Sequence, residues 1–208
     1  MKDVLELLDY ENQFKNKGYN LIAGVDEVGR GPLAGPVVTA CVIMDLENLV
    51  EGVDDSKKLT EKKREELFDK IIAHAKSYKI SSVSEQRIDE INILEATKEC
   101  MTSSINGLDI TPDVVLIDAV KLGGVGIEQC SIIKGDAKSY TIACASILAK
   151  VTRDRLMVSL DEKYPQYNLK KHKGYGTKEH IEAIKTHGPC PIHRKTFIKN
   201  FISGGTNA

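Results

Sequence analysis

Two short apolar runs, LIAGVD (21–26) and DVVLID (113–118), each end on an aspartate after four or so residues suited to burial. Both read as strands, as does PVVTACVIM (36–44), and their β-branched content fits a pleated surface. Helical patterns lie between and after them. LTEKKREELFDKIIAHA puts Leu67, Ile71 and Ile72 on one side, with Thr60 as its N-cap. EQRIDEINILEATKECMTSSING repeats Ile88, Ile91 and Leu94 at a period of three to four. YKISSVS and QCSIIKGD add two weaker strands, and SYTIACASILAKVTRDRLMVSLDEKY is a long helix whose small early residues suit close packing on a sheet. Strands first, then strands alternating with helices, predict an α/β fold with a mixed central sheet flanked by helices. In such sheets ligands collect at the carboxyl ends of parallel strands. If the two aspartate-terminated strands are parallel neighbours, Asp26 and Asp118 share that crevice.

The first of these runs continues into GVDEVGRGPLAGP (24–36), where two adjacent acids precede an arginine set between glycines. Neither feature helps a core, because close carboxylates repel and glycine loses extra entropy on ordering. A divalent cation is the obvious resident. Mg²⁺ prefers hard oxygen ligands and commonly bridges carboxylates to phosphate, and paired ions about 4 Å apart can drive phosphodiester hydrolysis. The candidate ligands are Asp26, Glu27, Asp118 and Asp136, the last lying after IIKG and before the long helix. Successive strand residues face opposite ways, so Asp26 and Glu27 can share a site only where the strand is ending. Gly29 and Gly31 permit that bend. Taken singly, an aspartate at a strand end is commonly a turn residue, and Asp136 could serve only as a cap for its helix. GRGPLAG is a poor phosphate loop: it lacks the Gly-Lys-Ser/Thr ending and leads into a strand rather than a helix.

Composition narrows the partners. At 208 residues the chain fits one ordinary domain with a substantial core. Its formal net charge of −1 excludes a whole-chain basic field, so a polyanion would have to meet a local patch. No run approaches the roughly 18 apolar residues of a membrane span. The acid-bearing N-terminus has no signal-peptide core. The five cysteines, Cys41, Cys100, Cys130, Cys144 and Cys190, form no CxxC pair and read as reduced. The expectation is a cytoplasmic monomer.

Five segments, AGVDEVGRGPLAGPVV, DDSKKLTEKKRE, LIDAV, KGDAKSYTIACASILAKVTRDR and HKGYGTKEH, together resemble bacterial ribonuclease HII, over roughly Leu21 to His193. The resemblance implies an RNase H-like fold with a short helical C-terminal part. It divides the chain into an N-terminal helical segment (1–20), a catalytic domain (21–190) and a C-terminal tail (191–208). It implies a metal-dependent endonuclease that hydrolyses the RNA strand of RNA–DNA hybrids. The same activity nicks duplex DNA 5′ of single ribonucleotides, leaving 3′-hydroxyl and 5′-phosphate ends, as in ribonucleotide excision repair. On that pattern Asp26, Glu27, Asp118 and Asp136 are the catalytic, metal-holding acids, with two Mn²⁺ or Mg²⁺ ions. The Gly29-Arg30-Gly31 backbone lies against the ribose, whose 2′-hydroxyl distinguishes it from deoxyribose. Tyr175 sits near the junction, and Ser56 and Lys57 also contact substrate. Ribonuclease HIII, a junction resolvase and a non-catalytic hybrid-binding module are the rival readings.

Other features are weaker. Lys170, Lys171, His172, Lys173, Lys178, Lys57, Lys58, Arg194 and Lys195 are basic where a duplex backbone could pass. His172 is also a candidate for proton transfer to the leaving group. HGPCPIH offers His187, Cys190 and His193, but lacks a fourth zinc ligand and reads as a structural loop.

Overall fold

β-branched and small apolar residues from 37 to 44 form a strand buried along its whole length, and the sheet is built around it and its neighbour. The computed structural model describes residues 4–202. In chain order the main elements are α1 (Asp9–Asn16), β1 (Ile22–Val28), β2 (Val37–Met44), α2 (Glu61–His74), β3 (Ala75–Val83) and α3 (Glu85–Asn106). There follow β4 (Val114–Asp118), β5 (Glu128–Ile132), α4 (Tyr140–Lys163), α5 (Leu169–His172), α6 (Lys178–His187) and α7 (Lys195–Ile202). The strands are ordered β3-β2-β1-β4-β5. β2 runs antiparallel to both of its neighbours, β1 and β3, while β4 and β5 run parallel to β1.

This mixed sheet carries helices on both faces, and strand alternation divides its side chains between them. Val38, Ala40, Val42 and Met44 of β2 meet α2 and α4. Cys41 and Ile43, with Ala23 and Val25 of β1 and Val115 and Ile117 of β4, meet Met101 and Ile105 of α3. The small residues at the start of α4 allow the expected close approach: Ala143, Cys144, Ala145 and Ala149 are fully buried. Gly24 is the point of closest contact, where a Cβ would lie 2.2 Å from the Thr141 carbonyl carbon.

The expected N-cap on α2 is present, Thr60 Oγ1 accepting from the Lys63 amide at 3.2 Å. Leu67 and Ile71 are buried and Ile72 is half-buried. α3 departs from its predicted period. Ile88 is buried, yet Leu94 is exposed, because the helix breaks at Asn92 (φ 68°, ψ 165°) and the second half takes a new rotation. The Asn92 side chain then accepts from the Leu94 and Glu95 amides, capping that second half.

The described segments nearest each end of the chain pack against the rest of the molecule. Val4, Leu7 and Leu8 join the core beneath β2 and α4. Glu11 of α1 is fully buried at the start of α4, accepting from the Thr141 amide and from the Ser139 and Thr141 hydroxyls. Within 191–208, residues 195–202 form α7 and bury Ile198 beside Tyr167, Leu169 and Ile184; residues 203–208 lie outside the described residues. Among the described residues no helix is long and apolar enough to cross a membrane.

Candidate active site

The parallel pairing of β1 with β4 sets Val25 beside Ile117, so Asp26 and Asp118 are neighbours at the carboxyl ends of adjacent strands. Both belong to the α4 side of the sheet by alternation. Glu27 faces the other way, but β1 ends one residue later at Val28 and Gly29 turns the chain at φ +93°. All three acids therefore reach one open cleft of about 240 Å³. The cleft is also lined by Val28, Gly29, Arg30, Gly31, Ser56, Lys57, Ser146, Lys150 and Tyr175. Asp136 stands immediately beyond this lining. It is buried on the turn before α4, and its Oδ2 accepts from Lys57 Nζ at 2.7 Å. The same turn is tied to Asp118, whose Oδ1 accepts from the Gly135 amide at 2.9 Å. Every residue expected at the site is thus in the cleft or one contact from it.

The electrostatics favour a cation. Burial raises the Asp26 carboxyl well above its ordinary range, with repulsion from Glu27 and Asp118 adding to it. Burial likewise pushes Glu27 up to about 7, opposed by Arg30 and reinforced by Asp118. Asp118 is also raised, chiefly by burial. One oxygen of Glu27, Oε2, is buried without a hydrogen-bond partner among the described residues; the other is 3.5 Å from Arg30 Nη1. Clustered carboxylates with raised affinity for protons and an orphaned oxygen fit a divalent ion, which neutralises them more fully than protons do. They do not form a ready-made cage: among the described residues no three His, Cys, Asp or Glu side chains are set to hold an ion. Mg²⁺ sites of this chemistry commonly draw further oxygen ligands from water and substrate phosphate, so a partial donor set suffices.

Two contributors were missed by sequence reasoning. Ser146 and Lys150 project from α4 into the cleft, Ser146 hydrogen-bonded to Ser56 at 2.8 Å. Lys150 also binds Asp154 at 2.6 Å. Their i, i+4 spacing, polar positions on the largely small and apolar first half of the helix, was the available signal. Arg153 is the larger omission, and Arg194 was expected only as a surface cation. Both are fully buried behind the 29–36 loop, and their guanidiniums donate to its carbonyls.

Several basic residues do not serve as expected. Arg194 is interior rather than a duplex-facing cation, because its fork is consumed by backbone carbonyls. His172 is buried and structural. Its Nε2 bonds the Tyr167 carbonyl, its Nδ1 accepts from the Gly174 amide, and its ring stacks on His180. Neither nitrogen is left for a leaving group, which corrects the proton-transfer expectation. Lys171 pairs with Glu179 at 2.7 Å, Lys170 with Asp161 at 3.5 Å and Lys173 with Glu61 at 3.8 Å, so the lysine-rich stretch is partly neutralised. In HGPCPIH, His193 bonds Cys190 through Nδ1 and His180 through Nε2, an arrangement that holds the loop.

A family model described as Ribonuclease HII matches residues 23–200. The ribonuclease HII of Acetivibrio thermocellus is 58% identical over 198 residues, spanning 95% of this chain and 77% of that protein. Among solved structures, the ribonuclease H2 of Pyrococcus horikoshii OT3 superposes with a TM-score of 0.75 at 32% identity, covering 88% of this chain and 98% of that one. Bst-RNase HIII in complex with Mn²⁺ superposes at a TM-score of 0.62 and 18% identity, over 81% of this chain and 63% of that one, a likeness of fold alone.

Proposed function

This chain belongs to the ribonuclease HII family, and on that premise we propose a divalent-metal-dependent endonuclease that recognises the ribose at an RNA–DNA junction. It is a ribonuclease H, a phosphodiester hydrolase acting on RNA–DNA hybrids. The finer reading is that it nicks duplex DNA on the 5′ side of a single embedded ribonucleotide, leaving a 3′-hydroxyl and a 5′-phosphate. One observation carries it: acids from two parallel strands meet in the cleft rimmed by the Gly29-Arg30-Gly31 loop and Tyr175, with Asp136 of the turn before α4 joined to it through Lys57.

In this reading Asp26, Glu27, Asp118 and Asp136 hold Mn²⁺ or Mg²⁺, and the Mn²⁺ complex of the like-folded Bst-RNase HIII supports a metal in such a fold. When bound, two such ions supply activation of water and neutralise the charge that develops on the departing 3′-oxygen. The protein supplies the frame. The Gly135 amide holds one Asp118 oxygen and so keeps the carboxylate turned toward Asp136 and its loop. Lys57 offers an ammonium beside Asp136, where it is available to a substrate phosphate. Ser56, braced by Ser146, provides a hydroxyl on the same wall. Gly31 leaves room for a sugar to approach the backbone: among the described residues only the Tyr175 ring lies near it, 3.8 Å from where a Cβ would be. Tyr175 is 43% exposed and offers that ring to the adjoining deoxyribose.

The decisive experiment uses an end-labelled DNA duplex carrying one ribonucleotide, beside an all-DNA twin, with Mg²⁺ or Mn²⁺. A single nick 5′ of the ribonucleotide, abolished by chelator, is the expected result. Asp118→Asn should lower the rate by at least about a thousandfold while leaving duplex binding measurable. Normal cutting by that variant would remove Asp118 from the metal set.

A further inference from the structure

Arg153 of α4 and Arg194, immediately before α7, are two fully buried guanidiniums, and neither has a carboxylate at ion-pair distance among the described residues. A buried charge without such a partner is costly unless every donor is well used. Burial, and then the neighbouring Arg153 charge, hold Arg194 down at about 9. Their donors go instead to carbonyl oxygens. Arg194 binds Gly29 at 2.6 Å, Arg30 at 3.0 Å and Gly35 at 2.9 and 2.6 Å. Arg153 binds Ala34 at 3.0 Å, Pro36 at 3.1 Å and, from the Tyr175 turn, Lys173 at 2.9 Å. Gly29 is obliged to be glycine by this arrangement, since a Cβ there would lie 2.3 Å from Arg153 Nε.

In a planar trans peptide the carbonyl and the following amide point in opposite directions, and none of the described peptide bonds is cis. Drawing the Gly29 carbonyl onto Arg194 therefore turns the Arg30 amide away from it. Drawing the Arg30 carbonyl inward does the same for the Gly31 amide. Neither amide has an acceptor among the described residues, and both residues line the acid-bearing cleft. Two donors are thereby left for whatever enters.

We propose that Arg153 and Arg194 are positioning residues for ribonucleotide specificity: Arg194 fixes the peptide planes at 29–31 so that the Arg30 and Gly31 amides face the ribose, and Arg153 holds the far end of the same loop, at Ala34 and Pro36, together with the Tyr175 turn. The inference rests on the junction-recognising function proposed above. It assigns to two interior arginines a selectivity that the exposed Arg30 side chain does not explain.

The test replaces each with lysine, which retains a charge but loses the planar fork that reaches several carbonyls at once. Asp118→Asn is included throughout to suppress cleavage. Fluorescence anisotropy then compares a duplex carrying one ribonucleotide with its all-DNA twin. The expected result is a loss of about tenfold in the ribonucleotide preference for both Arg153→Lys and Arg194→Lys, the size of a hydrogen bond or two, with all-DNA affinity held within about twofold. Circular dichroism melts establish that the variants are folded. Retention of the preference in either variant would overturn the proposal, and so would an equal loss of affinity for both duplexes. Collapse of both variants would mark the arginines as determinants of the fold and overturn their assignment to specificity. If the Asp118→Asn protein itself shows no ribonucleotide preference, the junction reading fails first, and this inference falls with it.

Discussion

At the scale of single residues, the acids at the strand ends set the pH behaviour of the protein without metal. Burial raises Glu27 from 4.5 to about 7. The folded chain consequently keeps a proton that the unfolded chain has given up, and stability falls wherever the unfolded state binds fewer protons. The contribution is complete below about pH 4.5 and is lost as pH rises through about 7. Metal-free protein should therefore lose stability across this window, by at most about 3 kcal/mol for this one group. Urea melts at intervals of pH check it, and Glu27→Gln should flatten the slope. Saturating Mn²⁺ should flatten it as well, because a bound cation removes the reason for holding the proton. A wild-type slope unchanged by Glu27→Gln would show that Asp26 or Asp118 carries the effect.

At the scale of elements, most boundaries followed from local chemistry, and the break in α3 shows where that stops. Ile88, Ile91 and Leu94 keep a helical period on paper, but the chain turns into positive φ at Asn92 and leaves Leu94 in solvent. Asparagine tolerates positive φ better than most residues, and its side-chain carbonyl caps the second half of the helix. Asn92→Ala should cost about 1–2 kcal/mol, through the lost cap and the strained backbone. A thermal melt within error of wild type would mean that the second half of α3 finds another start. The site residues on α4 were obscured for a related reason. Ser146 and Lys150 gain significance only once the helix's rotation over β1 is known.

At the scale of the whole molecule, the N-terminal helical segment acts as a plug. Leu7, Leu8 and Phe14 are buried, and Glu11 reaches across 128 residues to the Ser139 hydroxyl at the start of α4. That turn also carries Asp136. Deleting residues 1–17 should remove several apolar side chains from the core, each worth about 1.5–3 kcal/mol, and should orphan the hydroxyls that Glu11 accepts from. The expected outcome is a large fall in melting temperature, with Mn²⁺ affinity reduced alongside it through the Asp136 turn. A truncated chain with an unaltered melt would show the segment to be dispensable.

What the sequence determined by itself was the family, the acids that meet at the strand ends and the class of fold. The paired acids, the glycine-flanked arginine and the aspartate-terminated strands are local patterns, and hydrophobic periodicity is local too, so both are legible before the chain folds. Tertiary structure alone decided which polar groups lost their water. Arg194 reads as one more surface cation beside Lys195, and His172 reads as a candidate catalyst; both are interior because segments distant in the chain close over them. Burial is a long-range property, summed over contacts that no neighbouring residue reports. It turns an ordinary arginine into the frame of a loop and an ordinary glutamate into a group that titrates near neutrality.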